Sequence, residues 1–215
     1  MEQLQQFINL MLHLDTYLLS FVAAHGVWTY LVVFLVIFCE TGLVITPFLP
    51  GDSLLFTLGS IAAQSDNPLN ILILLLLLII ASILGNQANY SIGHAIGPKV
   101  FSVKRPWLIN QKHLAEAHAF YEKHGGKTII LARFIPIIRT FAPFIAGVSY
   151  MGFKQFNFYN IGSAVLWISS LLGMGYFLGS LPFVQKNFSI VVYGIIIASL
   201  LPPLFTFFYQ KIKPT

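Results

Sequence analysis

The chain has 215 residues, of which 57% are hydrophobic and only 9% are charged. This composition, with a mean hydropathy of +0.79, excludes an ordinary soluble domain and indicates an integral membrane protein. The formal net charge of +5 does not indicate nucleic-acid binding, because the basic residues concentrate in one loop and at the C-terminus. The single cysteine excludes a disulfide framework, and no Cys/His spacing predicts a metal site. We expect neither a metal nor another cofactor.

The first apolar stretch, residues 7–24, either spans the membrane or lies at its interface. The second, residues 27–63, holds two acids, Glu40 and Asp52, in otherwise uncharged sequence. Helix-breaking residues lie between these acids: Pro47, Pro50 and Gly51. A charge at the bilayer centre costs about 3 kcal/mol on insertion scales, and broken backbone at that depth must be buried in protein or line a wet cavity. The stretch therefore predicts a re-entrant helical hairpin with one acid on each arm.

The middle of the chain combines a spanning helix with a basic loop. Residues 64–70 form a polar turn without Lys or Arg, and residues 69–96 are the clearest spanning helix, with a polar far end that should face the protein interior. Residues 97–127 hold six Lys or Arg residues against two Glu residues. Because short basic loops stay in the cytoplasm, we expect a cytoplasmic loop that includes an interfacial helix at 108–124.

A second broken apolar stretch, residues 128–151, carries two bases, Arg133 and Arg139. Two prolines interrupt it as well: Pro136 and Pro143. It predicts a second re-entrant hairpin. The simplest interpretation of the four charges is mutual neutralisation as buried pairs, but ionisable residues within a membrane are by default functional candidates.

The remaining chain contains a Gly-rich spanning helix at 156–181, a turn at 182–187 and a last spanning helix at 188–209. With the basic loop and the C-terminus placed in the cytoplasm, the two hairpins enter from opposite faces. The N-terminus is then also cytoplasmic if the first helix spans.

An internal repeat agrees with this topology. The pattern H-G-x-x-T occurs at residues 25–29 and again at 124–128, and the same offset pairs Glu40 with Arg139. Inverted repeats with broken helices are a transporter architecture. The predicted fold is an all-α polytopic membrane protein, with an inverted repeat and two opposed re-entrant helical hairpins. It forms a single membrane domain, whose parts are the first repeat (1–96), the cytoplasmic loop (97–127), the second hairpin and spanning helix (128–181), and the last helix and tail (182–215).

Two long motifs carry a resemblance to a known family. They are F-C-E-T-G-L-V-I-T-P-F-L-P-G-D-S-L-L-F from residue 38 and H-G-G-K-T-I-I-L-A-R-F-I-P-I-I-R-T-F-A-P-F-I-A-G from residue 124. Together they resemble the bacterial DedA family, which shares the VTT domain of eukaryotic lipid scramblases, and the resemblance covers nearly the whole chain. It implies a multi-pass inner-membrane protein that returns undecaprenyl phosphate across the membrane and depends on the proton-motive force.

The resemblance also implies roles for individual residues. The functional acids of the family fall on Glu40 and Asp52, as proton-coupling residues, and its functional arginines on Arg133 and Arg139, as the phosphate-binding residues. The sequence departs from the family at two positions, where Asn86 stands in place of a frequent acid and His94 in place of a frequent base. Any role of charge at these two positions is therefore in doubt.

The chemistry of the residues agrees with a lipid phosphate as substrate, since arginine binds phosphate through paired donors and stays charged when desolvated. A proton-coupled exporter of cations or drugs is the main alternative, but it leaves both arginines without a role. A membrane phosphatase lacks a histidine nucleophile in either hairpin core, so no enzymatic activity is expected, and a scaffold gives no reason for the four charges. The expected partners are the lipid phosphate and protons, without nucleic acid, and a homo-oligomer is compatible with the sequence.

Overall fold

The computed structural model describes residues 20–22, 24–43, 51–64, 69–102, 126–134 and 136–182, together with residues 184, 187, 190, 191 and 194. All regular structure in this part of the chain is helical, which confirms the all-α class. Six helices are labelled here in chain order: α1 (Trp28–Gly42), α2 (Gly51–Ala62), α3 (Ile71–Ser102), α4 (Lys127–Ala132), α5 (Pro136–Val148) and α6 (Phe153–Gly179). The stretch predicted at 108–124, and most of the stretches predicted at 7–24 and 188–209, lie outside the described residues.

The first broken stretch contributes α1 and α2. The helical conformation of α1 ends at Gly42, and Gly51 is the first residue of α2. Pro47 and Pro50 lie outside the described residues. The predicted interruption of the apolar stretch is therefore present as two separate helices.

The second broken stretch contributes α4 and α5, but its two prolines behave differently. Pro136 is the first residue of α5, where its missing N–H costs nothing because the first turn of a helix leaves its N–H groups unpaired anyway. Pro143 was expected to break the chain, and this prediction was wrong, since it lies inside α5. An interior proline removes one backbone hydrogen bond and crowds the carbonyl one turn earlier, here that of Arg139, but α5 continues to Val148.

Two helices in the described part of the chain are long and apolar enough to cross a membrane, Ile71–Ile96 within α3 and Phe153–Gly179. The side chain of Asn70 accepts hydrogen bonds from the backbone N–H groups of Leu72 (2.9 Å) and Ile73 (3.3 Å), and so caps the start of α3. At its other end α3 runs to Ser102, beyond the predicted end at residue 96. The helix therefore continues through Gly97 and Pro98, where the proline removes one backbone hydrogen bond.

The chain divides into two compact units. The first comprises Met1–Val36, Leu49–Leu78 and Trp167–Thr215. Within it α2 packs closely along α6. A Cβ atom on Gly175 would collide with the carbonyl of Phe56, and one on Gly179 would collide with the side chain of Ser60. The two helices therefore run in the same direction, and glycine lets their backbones touch.

The second unit comprises Ile37–Phe48 and Ile79–Leu166. Here α3 and α6 run in opposite directions and are joined by side-chain amides, one pair buried and one half-buried. The side chain of Asn86 donates to that of Asn160, and Gln87 donates to Asn157, both at 2.8 Å. Such hydrogen bonds between side chains hold membrane helices together where water cannot compete.

In the same unit α5 packs closely against α3, and the two helices run in the same direction, since Asn89 contacts Thr140 and, one turn later in both helices, Gly93 contacts Phe144. A Cβ atom on Gly93 of α3 would collide with the carbonyl of Phe144, and one on Gly147 of α5 would collide with the carbonyl of Tyr90. A small apolar cluster contains one buried residue from each of α3, α4, α5 and α6: Tyr90, Ile129, Ala146 and Phe156. These contacts fix the positions of the helices that carry the charged residues.

Candidate functional site

The centre of the site is an ion pair between the two broken stretches. Glu40 lies in the last turn of α1 and is 1% exposed, and Arg139 lies in the first turn of α5 with a side chain that is 8% exposed. The Arg139 Nη2 group donates to Glu40 Oε1 across 99 residues of sequence. The two residues that the repeat offset aligned are therefore in direct contact.

Each member of this pair lies at the unfavourable end of its own helix. The C-terminus of a helix carries partial negative charge and the N-terminus partial positive charge. Glu40 is near the C-terminus of α1, which has no basic residue in its last turn, and Arg139 is near the N-terminus of α5, which has no acidic residue in its first turn. Neither charge is stabilised by its own helix, so each depends on a partner from elsewhere.

Arg133 lies at the C-terminal end of α4 and is 3% exposed. Its Nη1 group donates to Ser163 Oγ of α6 at 3.5 Å, and the Ser163 hydroxyl donates to the carbonyl of Asn160 at 2.9 Å. The Asn160 side chain in turn accepts a hydrogen bond from the side-chain amide of Asn86 and donates one to the carbonyl of Ile83. A polar network therefore runs from Arg133 across α6 to α3.

These groups meet around one pocket in the second unit. The pocket is lined by three of the four predicted charges and by five other residues: Glu40, Thr41, Asn86, Ile129, Arg133, Arg139, Ala142 and Pro143. The space within its mouth is about 300 Å³, but the enclosed volume is only about 10 Å³. An enclosed volume of that size holds roughly one water molecule. The pocket in this form is therefore too small for a group larger than water.

Asp52, the fourth predicted charge, belongs to the first unit and is not among the residues that line this pocket. It lies in the first turn of α2, where the helix dipole favours an acid. Its Oδ1 atom accepts a hydrogen bond from the indole Nε1–H of Trp167 at 3.0 Å. Trp167 is 2% exposed and is one of the largest buried side chains in the described part of the chain.

The sequence predicted some of these partners and missed others. The polar far end of the stretch 69–96 was expected to face the interior, and the burial of Asn86, Asn89 and Tyr90 confirms that expectation. The contacts of Asn160 and Ser163 could have been sought, because polar side chains inside a spanning helix usually face other helices. No signal in the sequence links Trp167 to Asp52.

The chain is similar in sequence to several known membrane proteins. The VTT domain family matches residues 49–177. The chain is 48% identical over 202 residues to Protein DedA of Escherichia coli (strain K12), which covers 94% of this chain and 92% of that protein. It is 45% identical over 172 residues to an uncharacterized membrane protein of Mycobacterium tuberculosis (strain ATCC 25618 / H37Rv), with coverage of 80% and 75%.

A more distant relative is the inner membrane protein YqjA of Escherichia coli (strain K12), which is 36% identical over 161 residues, with coverage of 73% of this chain and 70% of that protein. No solved structure matches the chain. The family match covers more than half of the chain, and both α3 and α6 are long and apolar enough to cross a bilayer. The chain therefore belongs to the DedA family of VTT-domain membrane proteins.

Proposed function

We propose that this protein is a transporter of a polyprenyl lipid phosphate, undecaprenyl phosphate being the expected substrate, and that transport uses the proton-motive force. The observation that carries the proposal is the buried pocket lined by Arg133 and Arg139 together with the acid Glu40. Two arginines in an apolar setting require a counter-charge, and Glu40 supplies it when no substrate is bound.

A phosphate monoester fits the chemistry of this pocket. The guanidinium group presents parallel donors that match phosphate oxygens and stays charged when desolvated. The N-terminus of α5, which carries Arg139, adds unpaired backbone N–H groups of the same polarity. The polyprenyl tail does not have to enter so small a pocket, because it can remain in lipid beside it.

Binding requires an exchange of partners. The enclosed volume of about 10 Å³ holds one water molecule rather than a phosphate while Arg139 contacts Glu40. The phosphate must therefore take the place of the Glu40 carboxylate on Arg139. A buried carboxylate that loses its cation is unstable as an anion, so Glu40 then takes up a proton. This exchange links arrival of the substrate to protonation, and Asp52 is proposed as a second proton-coupling residue.

The predicted hairpins and inverted repeat are part of this proposal. Each helix that follows a break packs closely, in the same direction, against the long helix of the other predicted repeat, α2 against α6 and α5 against α3. Contacts exchanged in this way between two halves support an inverted repeat. The hairpins would turn back before crossing, from opposite faces, with Glu40 and Arg139 in contact between them.

The proposed location is the bacterial inner membrane, where the relative YqjA is named as an inner membrane protein. The Lys/Arg excess of residues 97–127 and of the tail supports a cytoplasmic location for both. The N-terminus is proposed to lie on the same side.

Transport rather than hydrolysis is proposed, because the residues that line the pocket include no histidine or cysteine, and the Thr41 hydroxyl donates to the carbonyl of Ile37 at 2.8 Å. A proton-coupled exporter of cations remains the main alternative. It would use Glu40 and Asp52, but Glu40 is already paired with Arg139, which the cation would have to displace.

The test is reconstitution into vesicles that contain labelled undecaprenyl phosphate, with translocation measured with and without a pH gradient. We expect translocation that the gradient accelerates and that Arg133→Lys and Arg139→Lys both impair, because lysine loses the paired donors. Arg105→Lys makes the same change outside both broken stretches and serves as the matched control. Translocation at wild-type rates by both pocket variants would refute the phosphate site, and gradient-driven cation movement without lipid movement would favour the exporter.

A further inference from the structure

Asn89 lies between the two helix ends that carry the ion pair. It is fully buried on α3, and its Nδ2 group donates to two backbone carbonyls, that of Thr41 in α1 at 3.1 Å and that of Thr140 in α5 at 2.8 Å. Both contacts lie within the second unit. One side-chain nitrogen therefore ties two different helices to a third.

The two carbonyls belong to the residues that directly follow Glu40 and Arg139 in the sequence. Because both acceptors are carbonyl oxygens, the amide nitrogen rather than the amide oxygen must face them. Thr41 is the second-last residue of α1, so its carbonyl has no partner within its own helix. The two amide hydrogen atoms of Asn89 thus hold the backbone beside each member of the pair.

Glycines on either side bring the helices close enough for this contact. Gly85 and Gly93 lie one turn before and one turn after Asn89 on the same face of α3. A Cβ atom on Gly85 would collide with the Thr41 hydroxyl, and one on Gly93 would collide with the carbonyl of Phe144. The ends of α1 and α5 are therefore pressed against α3 at the level of Asn89.

Among the described residues, the amide of Asn89 is satisfied on its nitrogen but not on its oxygen. The Asn89 Oδ1 atom is buried and has no hydrogen-bond partner within the described part of the chain. A buried acceptor without a donor costs about as much as a hydrogen bond contributes. A leucine of similar size would remove this oxygen, but it would also take the donor away from the buried carbonyls of Thr41 and Thr140, so the substitution should still destabilise the chain.

We infer that Asn89 is a positioning residue for the candidate site, which sets the separation of Glu40 and Arg139 by holding the backbone next to each. The inference rests on the proposed function in one respect, the role of the pair in binding the phosphate. The geometric part, that Asn89 acts through the pair, can be tested without any transport measurement.

The first experiment is a double-mutant cycle on the thermal midpoint, Tm, of the purified full chain. Asn89→Leu is combined with the neutral pair Glu40→Gln/Arg139→Gln. We expect Asn89→Leu to lower Tm clearly in the otherwise wild-type chain and less in the background without the charged pair, because residues of one network couple. Asn157→Leu is the control, because it removes a hydrogen bond to Gln87 that does not lie beside the ion pair. It should lower Tm by the same amount in both backgrounds. Equal losses for Asn89→Leu in both backgrounds would overturn the inference.

The second experiment measures KM for labelled undecaprenyl phosphate per inserted molecule. Asn89→Leu should raise KM by about tenfold, the effect that outer hydrogen-bond partners have at other sites, and Asn157→Leu should leave it unchanged. An unchanged KM with Asn89→Leu would show a purely structural residue. If the wild-type chain handles no lipid phosphate, the proposed function fails and the Tm cycle alone decides the inference. If Asn89→Leu does not fold, Asn89→Ala, which adds no bulk, takes its place in both experiments.

Discussion

The contact between Glu40 and Arg139 makes a quantitative prediction about single and paired substitutions. Both side chains are at least nine-tenths buried, so Glu40→Gln leaves the Arg139 charge buried without its partner, and Arg139→Gln does the reverse. Breaking a buried pair from one side costs about 3–5 kcal/mol. The double variant Glu40→Gln/Arg139→Gln leaves two neutral amides that can bond to each other, so most of this cost should be recovered.

For a chain of this length, 1 kcal/mol corresponds to about 2–4 °C in Tm, so each single variant should lose roughly 10 °C. The assay is heating of the purified protein in mild detergent, followed by measurement of the fraction that remains monodisperse, with the inserted amount measured in parallel. The double variant should lie much closer to the wild-type chain than either single variant. A double variant that shows the sum of the two single losses would refute the ion pair as a coupled element.

Arg139→Lys separates pairing from phosphate binding in the same assay. Lysine keeps the positive charge and can still neutralise Glu40, so the loss in Tm should be small. It lacks the planar fork of arginine, so lipid translocation should nevertheless fall. A variant that translocates normally would show that Arg139 serves only to neutralise the acid.

Three further predictions concern other parts of the chain. A cysteine introduced at Lys112 should react with a membrane-impermeant reagent only from the cytoplasmic side, because basic loops stay inside; labelling from outside would contradict the topology. Trp167→Phe should cost about 1.5–3 kcal/mol in a Tm measurement, since it removes a hydrogen bond to the acid Asp52, and an unchanged Tm would mean that this bond contributes nothing. Gly175→Ala should destabilise the chain by about 1–3 kcal/mol, because the added Cβ collides with the backbone of α2. Gly173→Ala is the control and should be neutral or stabilising, because a Cβ there would meet nothing within 4 Å. Equal effects of the two substitutions would rule out the close packing of α6 against α2.

The sequence predicted the outline of the site because charges in apolar stretches need partners. Mutual neutralisation was one interpretation of these charges, and the structure shows it for Glu40 and Arg139, which are in contact. The fold class and the two broken stretches followed from hydropathy and from proline spacing. Pro143 was misjudged because a proline inside a helix removes a single backbone hydrogen bond, a loss that the packing of α5 against α3 can outweigh.

Contacts that depend on three-dimensional packing could not be read from the sequence. The contact between Asp52 and Trp167 spans 115 residues, and no local pattern distinguishes this tryptophan from one that faces lipid. The two bonds from Asn89 end on backbone carbonyls, which every residue possesses and which therefore leave no trace in side-chain spacing. Sequence reasoning located the charged residues, whereas the neutral groups that orient them required coordinates.

The separation of the ion pair along the chain has a consequence for biosynthesis. Glu40 is synthesised 99 residues before Arg139, an interval of about 5–20 s at ribosomal elongation rates. During that interval the acid of α1 has no arginine from the second broken stretch to neutralise it. Until α5 emerges, Glu40 of the nascent α1 must therefore be protonated, exposed to water or shielded by the insertion machinery. Assembly of the second unit, which joins Ile37–Phe48 to Ile79–Leu166, is thus a late event that follows insertion of α3.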